Sequence, residues 1–521
     1  MLKLQKSPFR DSERTFRDLE PPFRDLERPF RDLERPFRIT ERRFIHKRKK
    51  QIHNERKTMI KVTEHSFRVA EQLQWKLNSL KEVREKPSQY AQHDKKSYLY
   101  QRYFGRRKKK QGRKKTRIVK ERNVMKKTFA LLCFLCAFIM NATAQTWVGT
   151  WATAPQAAEK SKVLYSNTPH SIRQVVKVSL GGEVIRLKLS NIYSSEPVVI
   201  RSGYIAHAKD SFGVDAKSAE YLKFHGKYKT VIPAGKAIES DPLKFNLRPL
   251  ERVAITINYT SSPAKPTMHP GSRTTSYIMK GVTNAHSNFK KAQRVNHWYT
   301  IAGIDVYTMK NNLSAIAIIG NSITDGRGTT DNAQNRWPDI MSEMLHLKHK
   351  ITNQGVLNLG IGSNQVVVPG GIGTLAKDRY DRDILGQCGV KKVIIFEGVN
   401  DIGNTKSGNS ETTARLLIES YQNMIKKAKA KRMKVYLATI TPFKGAGYYT
   451  YFHEACRQYV NEWIRNQGKE KKVDGVLDFA KLMQDSADEH RMKKEYVCSD
   501  WLHPNAAGYK VMGIYAAEIV K

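Results

Sequence analysis

The sequence predicts two folded regions of different class, an antiparallel β-sandwich followed by an α/β domain built on a parallel sheet. Residues 145–310 contain short segments that alternate apolar and polar side chains, separated by turn sequences such as Gly181-Gly182. That pattern is typical of a β-sandwich. From residue 311 to 521, apolar strands alternate with amphipathic segments. This second pattern predicts a parallel sheet of five strands with helices on both faces, a three-layer α/β domain.

The spacing of apolar residues along the chain predicts where each strand and helix lies. In the first region, the clearest predicted strands are residues 174–180, 184–189, 198–205, 230–232 and 253–259. In the second region, the predicted strands are residues 314–319, 351–352 with their flanks, 392–396, 434–440 and 475–479. The predicted helices are residues 337–347, 411–430, 452–466 and 505–519.

Two polar residues follow strands that should be neighbours in the parallel sheet. Ser322 follows the first of these strands, and Asn400 follows the third. In the common strand order 2-1-3-4-5, strands 1 and 3 lie side by side where the order reverses, and ligands bind at the carboxyl ends there. The sequence therefore predicts that Ser322 and Asn400 face one crevice.

Four separated segments of the second region resemble, in their order, the sequence blocks of the SGNH/GDSL hydrolases. They are residues 320–326 (GNSITDG), 358–364 (NLGIGSN), 398–401 (GVND) and 500–504 (DWLHP). Residues 379–403, with FEGVNDIG, together with the preceding β-rich region, resemble a branch that includes bacterial arylesterases and acetylxylan esterases. The resemblance covers residues 311–521 and implies a flavodoxin-like catalytic domain that follows an accessory β-sandwich.

The resemblance also implies a catalytic site. Ser322 is the expected nucleophile, and a serine hydroxyl needs a base at neutral pH. His503 can take its proton, and Asp500, three residues earlier, can fix the imidazole tautomer. The oxyanion donors are expected to be the N–H of Ser322, the side-chain amide of Asn400, and one backbone N–H from the second block.

Two positions depart from the family pattern, and two residues are candidates for substrate contact. Asn321 stands where the family usually has an acidic residue, and Ser363 stands where it usually has its oxyanion glycine. Either Ser363 or Gly362 supplies the donor from the second block. Asn364 and Trp501 are predicted to contact substrate, with core packing as the alternative for Trp501.

The predicted function is a secreted serine esterase that cleaves acetyl or other short acyl esters, with polysaccharide-bound esters as candidate substrates. The sequence carries no metal-binding motif such as HExxH, and no metal or other cofactor is expected. One alternative is a carbohydrate-binding protein without activity, on a decayed esterase scaffold. The oligomeric state stays open.

The first 124 residues differ in composition from the rest. They carry a net charge of +22, half of the +44 of the 521-residue chain. Six phenylalanines recur every seven residues from Phe9 to Phe44, but Pro22, Pro29 and Pro36 would interrupt a coiled coil. We expect residues 1–124 to be disordered or not translated. The alternative is a nucleic-acid or membrane-surface role for the basic tract 106–117; no nucleic-acid partner is expected.

Residues 125–144 resemble a secretory signal peptide. Two lysines precede an apolar run at 129–140, and Ala142-Thr143-Ala144 is a small-residue cleavage site. The run is shorter than the about 20 residues that span a bilayer, so no stable membrane insertion is expected after cleavage. These features predict translation from Met125, cleavage near Ala144, and a secreted or periplasmic product. Of the five cysteines, three remain after cleavage, which allows at most one disulfide.

Overall fold

The computed structural model describes residues 146–158, 167–309 and 312–521. The predicted extension 1–124 and the predicted signal peptide 125–144 lie outside the described residues. Within the described ranges, no helix has the length and apolar character that a membrane crossing requires.

The first region consists of antiparallel strands. They are β1 (Thr146–Ala152), β2 (Gln156–Ala157), β3 (His170–Lys177), β4 (Gly182–Ser190), β5 (Val198–His207), β6 (Glu220–Tyr221), β7 (Thr230–Ile232), β8 (Ala237–Glu239), β9 (Leu243–Leu247), β10 (Arg252–Ser261), β11 (Thr267–His269), β12 (Ser276–Lys280), β13 (Gln293–Val295), β14 (Trp298–Tyr299) and β15 (Ile301–Thr308). A 3-10 helix at Ala216–Ser218 follows β5.

These strands form two larger sheets and one small sheet. One sheet has the order β1-β15-β4-β8 with β9 also on β4, and the other has the order β13-β12-β3-β10-β5-β6 with β7 also on β5. The small sheet is β14-β11-β2. Side chains of both larger sheets share one core, for example Ile185 and Ile304 from the first and Ile172 and Ile255 from the second. The predicted β-sandwich character of this region is confirmed.

The second region is a parallel α/β domain. Its strands are β16 (Ser314–Gly320), β17 (Gln354–Gly360), β18 (Val390–Phe396), β19 (Lys434–Ala438) and β20 (Gly475–Leu477). Its helices are α1 (Ser322–Asp325), α2 (Trp337–Leu347), α3 (Ala376–Tyr380), α4 (Val399–Asn404), α5 (Ser410–Ala430), α6 (Tyr451–Lys469), α7 (Phe479–Met483) and α8 (Ala506–Val520). A π-helical turn lies at Asp381–Leu385, and 3-10 helices lie at Ser407–Asn409 and Lys494–Tyr496.

The five strands pair in parallel in the order β17-β16-β18-β19-β20, as the sequence predicts. Strand β16, between β17 and β18, reads SAIAIIG, and all its residues after Ser314 are buried. A continuous apolar run rather than an alternating one is expected of a strand covered on both faces. Because β16, β17 and β18 run in parallel, their carboxyl ends meet at one edge of the sheet. The segments that carry Ser322, Ser363 and Asn400 begin there.

The predicted strand at residues 351–352 is wrong, because these residues close helix α2 instead. The Ile351 N–H donates to the Leu345 carbonyl, and Lys350 has a left-handed φ of 59°. The strand begins at Gln354 and ends at Gly360, so the first three residues of the second motif, residues 358–364, belong to β17. Strand β20 likewise ends at Leu477, because the Asp478 side chain caps helix α7.

The sandwich covers the edge strand β17 of the parallel sheet. The Val356 N–H donates to Ser179 Oγ at 2.9 Å, and the Gly149 N–H donates to the Cys388 carbonyl at 3.0 Å. A Cβ at Gly355 would lie 2.3 Å from the Gly149 carbonyl oxygen, so the two backbones touch there. An exposed sheet edge pairs readily with other chains, and here the first region occupies it.

Candidate active site

Ser322 lies where strand β16 meets a short helix. Strand β16 ends at Gly320, and the Asn321 Oδ1 accepts the Ile323 N–H at 3.0 Å, which caps helix α1. Ser322 is the first residue of that helix and is only 6% exposed. Its hydroxyl is therefore fixed at the carboxyl edge of the sheet, beside the unpaired N–H groups of a helix start.

The structure brings the three predicted catalytic residues into one hydrogen-bonded chain. Ser322 Oγ lies 2.8 Å from His503 Nε2, and His503 Nδ1 lies 2.7 Å from Asp500 Oδ2. The other Asp500 oxygen accepts the N–H groups of His503 and Leu502 at 3.0 and 3.1 Å. This geometry places the imidazole proton on Nδ1, so that Nε2 can accept the serine proton.

The surroundings favour a neutral imidazole. Burial lowers the pKa of His503, and the positive charges of Arg327 and Arg273 lower it further, against the opposing effect of Asp500. Although burial opposes it, hydrogen bonds from the backbone and ring of His503 hold the pKa of Asp500 below its usual value. The pair is thus set as carboxylate and neutral imidazole, the state that a general base requires.

The backbone around the serine offers hydrogen-bond donors. Residues Ile361 to Asn364 form a turn, closed by the Asn364 N–H on the Ile361 carbonyl at 3.1 Å. Within the described part of the chain, no oxygen accepts the N–H of Ser322, Gly362 or Ser363. Ser363 has a φ of 56°, the left-handed conformation that glycine adopts most readily. Ser363 therefore adopts a backbone conformation that favours glycine, and the turn keeps two candidate donors.

Asn400 is held at the same edge by its neighbours. It is 2% exposed, its Nδ2 donates to the Asn364 carbonyl at 2.8 Å, and the Tyr448 hydroxyl donates to its Oδ1 at 3.2 Å. These bonds fix the amide orientation and use one of its two N–H donors. Asn400 also lines the cavity next to Ser322.

The two predicted substrate contacts lie elsewhere. The Asn364 side chain is fully buried; it donates to the Ile372 and Thr374 carbonyls and accepts from Arg379 Nε, so it holds a loop. The Trp501 ring packs beside Gly445 with the Arg491 guanidinium 4.8 Å from its centroid. Neither side chain lines the cavity next to Ser322.

A cavity of about 290 Å³ opens beside Ser322 and draws its wall from both regions. The α/β domain contributes Ser322, His503, Asn400, Gly362 and Ser363, together with Tyr448 and Leu502. The sandwich contributes four residues that sequence reasoning missed, namely Gln156, Pro270, Gly271 and Arg273. They were missed because no motif marks them and only the packing of the two regions brings them to the serine.

A buried pair ties the two regions together under this cavity. His269 Nε2 lies 2.8 Å from Asp325 Oδ1, and both side chains are less than 5% exposed. A Cβ at Gly271 would lie 1.8 Å from Asp325 Oδ2, so only glycine fits there. Asp325, at the end of helix α1, is thus held by the sandwich.

Comparison with known proteins identifies the second region. The family model of the GDSL-like lipase/acylhydrolase family matches residues 318–511. These residues form a GDSL-like lipase/acylhydrolase domain. Among curated proteins, none matches the chain.

Solved structures of three relatives are similar to the GDSL domain. A GDSL-like lipase from Bacteroides thetaiotaomicron is 20% identical, with 39% of this chain and 86% of that chain covered and a TM-score of 0.29. An acetyl xylan esterase is 19% identical, with 40% and 100% covered and a TM-score of 0.31. A carbohydrate acetylesterase family member from Sinorhizobium meliloti is 12% identical, with 40% and 97% covered and a TM-score of 0.32.

Buried charged side chains hold the segments around the site of the GDSL domain in place. Glu397 and Arg379 are fully buried and lie 3.7 Å apart, and Asn321 Nδ2 donates to the same carboxylate at 3.3 Å. Burial raises the pKa of Glu397 well above its usual value. Asp401 accepts the N–H groups of residues 366–368 and so orders the loop after the 361–364 turn. These groups position the site and do not reach the cavity.

The described residues offer no group of three or more His, Cys, Asp or Glu side chains with the spacing of a metal site. The cysteines Cys388, Cys456 and Cys498 are free thiols.

Proposed function

We propose that the protein is a carboxylic ester hydrolase that works through an acyl-serine intermediate. The observation that carries the proposal is the continuous chain from Ser322 Oγ to His503 and Asp500, with both hydrogen bonds below 3 Å. The match of residues 318–511 to an acylhydrolase family supports it.

The first half of the reaction transfers the acyl group to the enzyme. Ser322 Oγ attacks the ester carbonyl carbon while its proton moves to His503 Nε2, and the carbonyl oxygen becomes an oxyanion. The proposed donors to that oxyanion are the N–H groups of Ser322, of the 361–364 turn and of Asn400; such donors lower the barrier by about 3 kcal/mol each. The carbon–oxygen bond to the alcohol then breaks, and His503 gives its proton to the departing oxygen.

The second half regenerates the serine. Water attacks the acyl-serine carbonyl and transfers a proton to His503 Nε2, which returns it to Ser322 Oγ as the carboxylic acid leaves. Asp500 stabilises the imidazolium formed in both halves without taking its proton.

The substrate that fits best is an acetyl or other short acyl ester. The cavity volume of about 290 Å³ is at the small end of ligand sites, where a long acyl chain has little room. Esters on plant polysaccharides, and a secreted or periplasmic enzyme that meets them after cleavage near Ala144, are part of this proposal. They rest on the sequence pattern of residues 125–144 and on the family resemblance.

A panel of 4-nitrophenyl esters from acetate to long acyl chains tests the function. We expect turnover to be highest with the shortest chains and to be lost in Ser322→Ala. Ser486→Ala, at an exposed serine outside the cavity, is the matched control and should keep full activity. Equal activity in Ser322→Ala would contradict the mechanism. A wild-type protein that binds glycans and hydrolyses no ester would favour the alternative of a decayed esterase scaffold.

A further inference from the structure

Two arginines stand on the cavity wall, one from each region. Arg273 belongs to the loop after β11, and Arg327 follows the end of helix α1. Among the lining residues, Asp325 carries the one carboxylate. The wall beside the nucleophile therefore holds more cationic than anionic side chains.

The carboxylate of Asp325 leaves these arginines largely unsatisfied. One Asp325 oxygen is occupied by His269, and Arg273 Nη2 is 3.7 Å from the other, beyond hydrogen-bond distance. Arg273 Nε is buried without a hydrogen-bond partner, although the side chain as a whole is 28% exposed. A buried donor without an acceptor is costly, which indicates a place for an oxygen atom of a ligand.

Arg327 carries a charge that no neighbouring carboxylate in the described part of the chain neutralises. Its side chain is exposed, and no carboxylate of the described residues lies within ion-pair distance of it. A guanidinium presents its N–H groups in a planar fork that matches a carboxylate. Two such forks on one wall are suited to an anionic group on the substrate.

The position of the two arginines relative to His503 indicates which part of the ester carries that anion. Arg327 precedes Gly328, where a Cβ would lie 2.4 Å from the Pro504 carbonyl oxygen. This arginine therefore belongs to a segment that packs against the one carrying His503. The charges of Arg327 and Arg273 also lower the pKa of His503. His503 Nε2 is the atom that gives its proton to the departing alcohol. Arg327 therefore lies on the side from which the alcohol departs, and Arg273 lines the same cavity.

We propose that Arg273 and Arg327 form an anion subsite that binds a carboxylate on the alcohol part of the ester. The preferred substrates are then short acyl esters of acidic sugars, such as an O-acetylated uronic acid. This inference rests on the proposed esterase function and adds a substrate class to it. It also gives the sandwich a direct role in specificity, because that region supplies Arg273.

A matched pair of esters tests the subsite, an O-acetylated methyl uronoside and the same compound with its carboxylate converted to an uncharged amide. For the wild type we expect kcat/KM to be at least about tenfold higher for the acid, as a charge-assisted bond predicts. The preference should shrink as salt is added.

Substitutions then assign the preference to the two arginines. In Arg273→Gln and in Arg327→Gln, the ratio of kcat/KM for acid over amide should fall toward one, and Arg273→Lys should keep part of it. Arg201→Gln removes an exposed arginine of β5 outside the cavity and should keep the wild-type ratio. Thermal unfolding of each variant checks that it is folded.

Equal kcat/KM for the two esters in the wild type, with 4-nitrophenyl acetate still hydrolysed, would overturn the subsite and leave the esterase intact. An equal loss on both esters in the variants would also overturn it, because it would show that the arginines serve the reaction common to all esters. Calorimetric binding of the uronate and the uronamide to Ser322→Ala gives a readout that needs no turnover. Equal affinities there would reject the subsite.

Discussion

At the scale of single residues, the site depends on how neighbours set the charge of His503. The imidazole is 8% exposed, and burial together with two nearby guanidinium groups lowers its pKa, while Asp500 acts in the opposite direction. A base must be neutral to accept the serine proton. The balance of these effects on the pKa of His503 therefore sets the lowest pH at which the protein is active.

The pH profile of kcat/KM for 4-nitrophenyl acetate follows from that balance. The rate should rise with pH with a midpoint below the ordinary histidine value of 6.5. In Arg327→Gln the midpoint should move to higher pH, because removal of a positive charge makes the imidazolium easier to form. Arg201→Gln should leave it in place. A midpoint that stays or moves down in Arg327→Gln would show that this arginine does not act on the base.

Asn321 shows that a departure from a family pattern can be a local adjustment. Its Oδ1 caps helix α1 and its Nδ2 donates to the buried Glu397. An aspartate at this position would lose the donor and bring a second carboxylate next to Glu397. The amide is compatible with the buried acid, and it leaves the hydrogen-bonded chain from Ser322 to Asp500 unchanged.

At the scale of elements, the turn after β17 combines strain with function. Ser363 occupies a left-handed conformation, and Gly362 and Ser363 line the cavity. Replacement by glycine removes the strain and keeps the N–H. We expect Ser363→Gly to raise the free energy of unfolding by about 0.5–1 kcal/mol, since the relief exceeds the entropy that glycine adds to the unfolded chain.

Urea unfolding of the wild type and of Ser363→Gly measures this difference. Gly408→Ala, at a glycine with open space around it, is a control for general effects of glycine content. A lower unfolding free energy in Ser363→Gly would mean that the serine side chain stabilises the turn by more than its backbone conformation costs.

The elements also show what the sequence could and could not predict. Strand β16 and helix α2 were predicted nearly to the residue, because a strong apolar period and clear ends mark them. The second strand was misplaced, because Ile351 is apolar but closes the preceding helix. The residues around Ser322 were predictable from local motifs. Arg273 and His269 were not, because their role comes from the contact between two regions.

At the scale of the whole molecule, the sandwich is part of the enzyme's architecture. It covers the β17 edge, holds Asp325 through His269, and supplies Arg273 to the cavity wall. Removal of residues 145–310 would expose a parallel-sheet edge and leave the Asp325 carboxylate buried without its partner.

Expression of residues 312–521 alone tests this dependence. We expect the fragment to be insoluble or to lack a cooperative unfolding transition, and to hydrolyse no ester. The comparison is with residues 145–521 expressed in the same way. A soluble fragment with wild-type kcat would show that the GDSL domain needs the sandwich for neither stability nor catalysis.

The measurement that tests the central claim most directly is covalent labelling of the nucleophile. A serine-reactive organophosphate should modify the protein once, and peptide mass spectrometry should find the label on Ser322. The label should be strongly reduced in His503→Ala, because the hydroxyl then has no base. A label on another serine, or equal labelling in His503→Ala, would contradict the assignment of Ser322, His503 and Asp500 as the reacting chain.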